Sequence, residues 1–211
     1  LIGRQKTNLQ AHVSAAAFDA PALVRLAKLF YKQEALIIAA LGVSPQRLSR
    51  YTKPTDRQFI EKLERHPPKT KEQLNRLWYG QYNAHPQHYC PTRYHCLNLA
   101  SAFFRGTIEV RCFSGTLHAG KVKAHVQYVL ALAAKALNSR AASSKQRTFN
   151  PDSAKYDLRV HLLHLGLIGD EFKTARKHLL SLMPGDSAWK HGRPKPKTKP
   201  QPETMPVEVK P

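Results

Sequence analysis

The stretch TIEVRCFSGT, residues 107–116, constrains the fold more than any other part of the chain. Side chains alternate across a strand, so Thr107, Glu109, Arg111 and Phe113 fall on one face, and Ile108, Val110 and Cys112 on the other. One face suits a core and the other carries charge, which predicts a sheet covered on one side only. The charged face has two readings. Glu109 and Arg111 form a half-solvated ion pair contributing about 0 to 1 kcal/mol, or they form the wall of a site. In the second reading Glu109 suits a metal or an ammonium group, and Arg111 suits a phosphate or carboxylate.

The same split recurs upstream. In LQAHVSA, residues 9–15, Gln10, His12 and Ser14 share one face and Ala11, Val13 and Ala15 the other. YHCLNLA, residues 94–100, places Tyr94, Cys96 and Asn98 together, and Gly106 marks the turn between this strand and the one at 107, as in an antiparallel pair. Asp19 and Pro21 open a helix whose apolar stripe runs through Leu23, Leu26, Ala27, Phe30 and Ile37 and stops before Gly42. Ser44 and Pro45 begin a further helical turn through Leu48 and Tyr51. Thr55 with Gln58, and Thr70 with Gln73, have capping-box spacing and predict short helices reaching about 65 and 79. A long helix is expected over 118–138, with Val122, Val126, Val129, Leu130, Ala133 and Leu137 buried. A linker near 139–147 and helices near 153–166 and 170–182 follow.

The expected architecture is α+β: an antiparallel sheet with a concave, open polar face and helices on its apolar back. The polar face collects His12, Glu109 and Arg111. From Pro184 the chain is too rich in proline and lysine to pack and is expected to be disordered.

Composition narrows the setting. In 211 residues with 42% hydrophobic content there is material for one sizeable core. No apolar run is long enough to cross a bilayer, the first residues lack a secretory pattern, and three cysteines are too few for a disulfide framework, so a cytoplasmic location is expected. Leu1 is not an initiator methionine and the opening residues read like the approach to a strand, so the chain is expected to lack an upstream portion. The formal net charge of +20 attracts polyanions, nucleic acid and nucleotides alike, without implying sequence-specific binding. His85, His88, Cys90, His95 and Cys96 offer soft ligands within a short span, but their spacing does not form a tidy tetrahedral zinc motif, and a solvated loop is the simpler reading.

RYHCLNLASAFFRGTIEVRCFSGTLHAGKV resembles the RY..LN......TIEFR.FNGTL block of the amidoligases, a branch of the carboxylate–amine ligases with a glutamine-synthetase-like fold. LQAHVSAAAFDAPALVRL is similar to that family's HxH strand and following helix, and LIGDEFKTARKHLLSLMPGDSAW resembles the helical ending of some members. The resemblance implies a catalytic domain over 1–140, a helical extension over 141–183 and a tail over 184–211. It further implies ATP and magnesium, an acid and an amine as substrates, and catalytic roles for Glu109, Arg111 and Asn98. Glu109 and His12 would serve the metal; Arg111, Arg93 and Thr107 would hold substrate or phosphate. Gln10 stands where the family has its first histidine, and the family's acidic strand before HxH has no counterpart, so weak activity is expected of this chain. The alternative is a non-catalytic basic domain that binds nucleic acid or another polyanion.

Overall fold

A computed structural model of the chain describes residues 8–194. Its three strands are β1 (Ala11–Ser14), β2 (Leu97–Asn98) and β3 (Thr107–Val110), antiparallel and in the order β1–β3–β2. The helices are α1 (Ala20–Ala40), α2 (Pro45–Arg50), α3 (Arg57–Arg65), α4 (Lys71–Tyr79), α5 (Ala100–Phe104), α6 (Ala119–Asn138), α7 (Ala154–His164) and α8 (Lys173–Leu180), with a 3-10 turn at Pro91–Arg93. The class is α+β. Among the described residues no helix is long and apolar enough to cross a membrane.

Helix α1 starts where its sequence dictates. Asp19 stays extended, its carboxylate accepts from the Ala22 N–H at 2.7 Å, and Pro21 occupies the first turn. Thr70 caps α4 by accepting from the Gln73 N–H at 3.3 Å, and Gly80 closes that helix at φ +82°. The cap of α3 falls one residue later than the Thr55–Gln58 spacing suggests. Asp56 accepts from Gln58, because the N–H and hydroxyl of Thr55 are both bound to Glu34.

Three expectations about the sheet and α6 are corrected. The second strand, expected over 94–100, is only Leu97–Asn98: the Asn98 side chain accepts from the Ala100 N–H at 3.0 Å and so starts α5 at once. The alternation in 107–113 ends at Arg111. Phe113, expected on the charged face, is fully buried and stacks on His125 of α6 at a centroid distance of 4.4 Å. Helix α6 buries Ala124, His125, Tyr128, Val129, Leu132, Ala133 and Ala136, whereas Val126 and Leu130 are 44% and 51% exposed and Leu137 is exposed as well. A helix apolar on most sides does not fix its own orientation; α1 and α8, which pack along α6, select the face, and alanines at 124, 133 and 136 let them approach.

Core residues of β3 (Ile108, Val110), α1 (Leu23, Leu26, Phe30), α6 (Tyr128, Leu132), α7 (Leu158, Leu162) and α8 (Leu179) belong to one continuous cluster. The segment between α6 and α7 has no regular structure but is tied down, with the Arg147 N–H donating to the Lys32 carbonyl at 3.0 Å. Residues 184–194 form neither helix nor strand, and the rest of the expected disordered tail, 195–211, lies outside the described residues.

Candidate functional site

The register of the sheet assembles one polar row. His12 and Asn98, from strands on either side, both pair with Glu109 in the centre. Partners directly opposite in an antiparallel sheet project to the same face, so the three side chains meet. Glu109 accepts from Arg111 Nη1 at 2.9 Å through one oxygen and from Asn98 Nδ2 at 2.6 Å through the other. His12 Nε2 lies 3.7 Å from the Arg111-bound oxygen. The other ring nitrogen of His12 lies 3.1 Å from the Thr107 hydroxyl, itself 2.8 Å from the Ser101 hydroxyl.

This face is not open. Asn98, Glu109 and Arg111 are 1%, 3% and 7% exposed, and α5 packs against β3. Only at His12, whose side chain is 30% exposed, does the row reach the surface. The half-solvated ion pair is therefore replaced by a buried one, in which removing either partner strands a charge away from water.

Cationic charge is in excess here. Arg93, in the 3-10 turn, is 8% exposed; its guanidinium makes no hydrogen bond or ion pair among the described residues, and its Nε is enclosed without a partner. Its guanidinium lies 5.7 Å from the Tyr89 ring centre and 5.6 Å from that of Tyr94, and the Arg111 guanidinium also lies 5.6 Å from Tyr94. Aromatic faces stabilise cations without neutralising them. Burial lowers the pKa of Arg111, the Glu109 charge opposes that shift, and Arg93 adds to it. The Nε of Arg111 is also enclosed and unbonded. Two buried guanidiniums thus meet the Tyr94 ring while only Arg111 is paired with a carboxylate, and an arrangement with unpartnered buried N–H groups is suited to receiving an oxyanion.

Local sequence gave no sign of two supporting residues. Arg47, from α2, donates to the carbonyls of Arg111 and Phe113 at 3.1 and 3.2 Å and so fixes the chain where it leaves β3. Ser101 backs Thr107 from α5. Tyr94, the ring both arginines touch, could have been found from its place in the RY pair next to Arg93.

The cysteine–histidine run does not assemble. His95 Nδ1 lies 2.9 Å from the Pro54 carbonyl, the Cys96 thiol donates to the Thr52 carbonyl at 3.1 Å, and His88 packs at a tilt against Tyr89. A hydrogen bond with Cys112, together with burial, pushes the Cys96 thiol pKa upward, away from the thiolate that zinc needs. Among the described residues no group of three or more His, Cys, Asp or Glu is arranged to hold a metal ion. Magnesium fares no better in the polar row: a hard cation wants several oxygens, and the row supplies one carboxylate, held on both oxygens by N–H donors, beside an imidazole.

Cavities elsewhere carry less chemistry. One of about 420 Å³ is lined by Tyr31, Glu61, Glu64 and Arg65 and lies away from the row. Its lining includes no unpartnered buried cation.

The family model described as "putative amidoligase enzyme" matches residues 3–133. No curated protein and no solved structure matches the chain. The matched span contains His12, Arg93, Asn98, Thr107, Glu109 and Arg111 and ends inside α6, before α7 and α8. It covers more than half of the sequence, and the chain belongs to the amidoligase family.

Proposed function

We propose that the protein is an ATP-dependent ligase that joins a carboxylate to an amine through an acyl phosphate. The observation that carries this reading is the buried Arg111–Glu109 pair with a second buried guanidinium, Arg93, against the same Tyr94 ring as Arg111 and without an ion pair among the described residues. ATP supplies the phosphoryl group that makes the carboxylate reactive. The amine nitrogen then attacks the acyl carbon, the C–N bond forms, the C–O bond to phosphate breaks, and the nitrogen loses a proton.

The chain's own residues serve the charges that develop. Arg93 and Arg111 hold the phosphate oxygens and stabilise the leaving group, a role in which one well-placed donor contributes about 10²- to 10³-fold in rate. Glu109 accepts from the incoming amine and Asn98 keeps that carboxylate in place. His12, next to Glu109 and partly open to water, takes the released proton; Thr107 sets its ring. The antiparallel sheet that carries this row supports extending the proposal to a glutamine-synthetase-like fold.

The test is phosphate release with ATP, pooled carboxylic acids and pooled amines, confirmed by mass spectrometry of an amide product. Release that requires both acid and amine, and falls at least about 100-fold in Arg111→Lys, is the expected result. Release that ignores acid and amine, in a chain that retains nucleic acid whatever stands at position 111, would establish the non-catalytic polyanion-binding reading instead.

A further inference from the structure

Charge balance in the polar row raises a question that ligation alone does not answer. Arg93 meets aromatic rings and no carboxylate among the described residues, while Glu109 is committed twice, to Arg111 and to Asn98. A cation bridging Glu109 to a phosphate would have to take oxygens that N–H donors already hold. It would also sit beside the Arg111 guanidinium, 2.9 Å from the same carboxylate. Like charges at such a distance repel strongly where water is excluded. The donor set suits an anion at the arginines better than a metal at Glu109.

We propose that Arg93 and Arg111 bind an oxyanion, phosphate or carboxylate, directly, with no divalent cation bridging it to Glu109, and that Glu109 is the internal competitor which that oxyanion displaces from Arg111. This deepens the ligase reading and rests on it only for the identity of the anion as a reactant. In the free chain the Glu109 carboxylate fills the place of the ligand: one of its oxygens engages Arg111 Nη1 while the other is anchored by Asn98. An incoming oxyanion takes both guanidiniums, and bidentate contact favours it over the single bond Glu109 makes. The carboxylate stays anchored through its other oxygen by Asn98, and the released oxygen already lies 3.7 Å from His12 Nε2. It becomes free to accept from an ammonium or amine N–H only after the anion is in place. The acid-derived substrate therefore binds before the amine.

Calorimetric titration of the full chain with inorganic phosphate, and separately with acetate, in EDTA and then in excess magnesium, tests this. Equal affinity in EDTA and magnesium is expected, with the tighter of the two anions identifying the source of the oxyanion. Arg93→Lys should weaken binding at least tenfold, and Lys135→Ala, which removes an exposed charge on α6, should change it less than twofold. The deciding variant is Glu109→Gln. As an internal competitor, Glu109 holds binding back, so its neutral isostere should bind phosphate about tenfold more tightly. As a metal ligand, Glu109 assists binding, so the same variant would bind more weakly, and only in magnesium; that outcome overturns the proposal. If Glu109→Gln does not fold, Glu109→Asp withdraws the charge from Arg111 and must shift affinity in the same direction. A chain that follows this pattern yet never forms an amide retains the inference and loses the ligase reading. A chain that ligates but needs magnesium and Glu109 to hold phosphate does the reverse.

Discussion

Two glutamates lie equally deep in this protein and are held in opposite ways. Glu34 on α1 is 1% exposed and Glu109 on β3 is 3% exposed. Among the described residues Glu34 meets no cation: its oxygens accept from the Thr55 N–H and hydroxyl, all at 2.9 Å. Burial pushes its pKa from 4.5 up to about 7, with the Thr55 bonds pulling it part of the way back. Glu109 instead meets a guanidinium and an amide. The first arrangement joins α1 to the start of α3 and needs only hydrogen-bond donors. The second holds a buried charge pair whose cation has a further, unbonded N–H. One carboxyl is part of the scaffold, and the other is poised to exchange partners.

Breaking the pair at the sheet should have the largest effect. Arg111→Met leaves the Glu109 charge enclosed without its cation and should cost about 3–5 kcal/mol in urea unfolding. Adding Glu109→Gln to that variant should recover most of the loss, because no charge then remains to be solvated. A single-variant loss under about 1 kcal/mol would place Glu109 with exposed ion pairs and erase the contrast.

At Glu34 the effect is set by pH. Between about 4.5 and 7 the folded chain keeps a proton that the unfolded chain releases, so this group's contribution to stability is full below 4.5 and is lost as pH rises through 7. A shift of that size corresponds to roughly 3 kcal/mol. Glu34→Gln should remove this slope, read as the difference between variant and parent in unfolding at pH 5 and pH 8. Taking the difference matters because burial pushes His125 and His161 down to about 4 and about 3, and they give the opposite slope, losing stability as pH falls below 6.5. A variant with an unchanged slope would mean that Glu34 is charged throughout, like a paired carboxylate.

The smallest effect sharpens the comparison further. Thr107→Val removes the hydroxyl that lies between His12 and Ser101 and should cost about 1 kcal/mol, with the His12 ring losing its fixed tautomer in nitrogen NMR. A fixed ring in the variant would show that Glu109, and not Thr107, sets its orientation.

The polar row could be read from sequence because its signal is local: a period of two, repeated in HVS and TIEVR, places the charged residues on one side whatever the remaining fold. The resemblance then connected Asn98 to them. Burial of that face could not be read, since its cover comes from α5 and the turn that carries Arg93, brought in by tertiary packing. Arg47 was missed for a related reason: its partners are carbonyls 64 and 66 positions away, and a backbone oxygen leaves no mark in the amino-acid pattern. The buried face of α6 and the cap at Asp56 failed where two solutions fit the local pattern and a neighbour, α8 in one case and Glu34 in the other, made the choice.

The central position of β3 also sets the order in which the row can form. Asn98 and Glu109 are 11 positions apart, whereas His12 and Thr107 are 95 apart. Loop-closure entropy scales with the logarithm of that separation, and the longer closure costs about 2 kcal/mol more. The β2–α5–β3 unit is therefore the early-forming half, and β1 docks on its free edge late, after the intervening helices have drawn the chain together. During synthesis the order is reversed in a telling way: β1 emerges first and has no partner until β3 follows it. His12 is the first residue of the row to be made and the last to take its place.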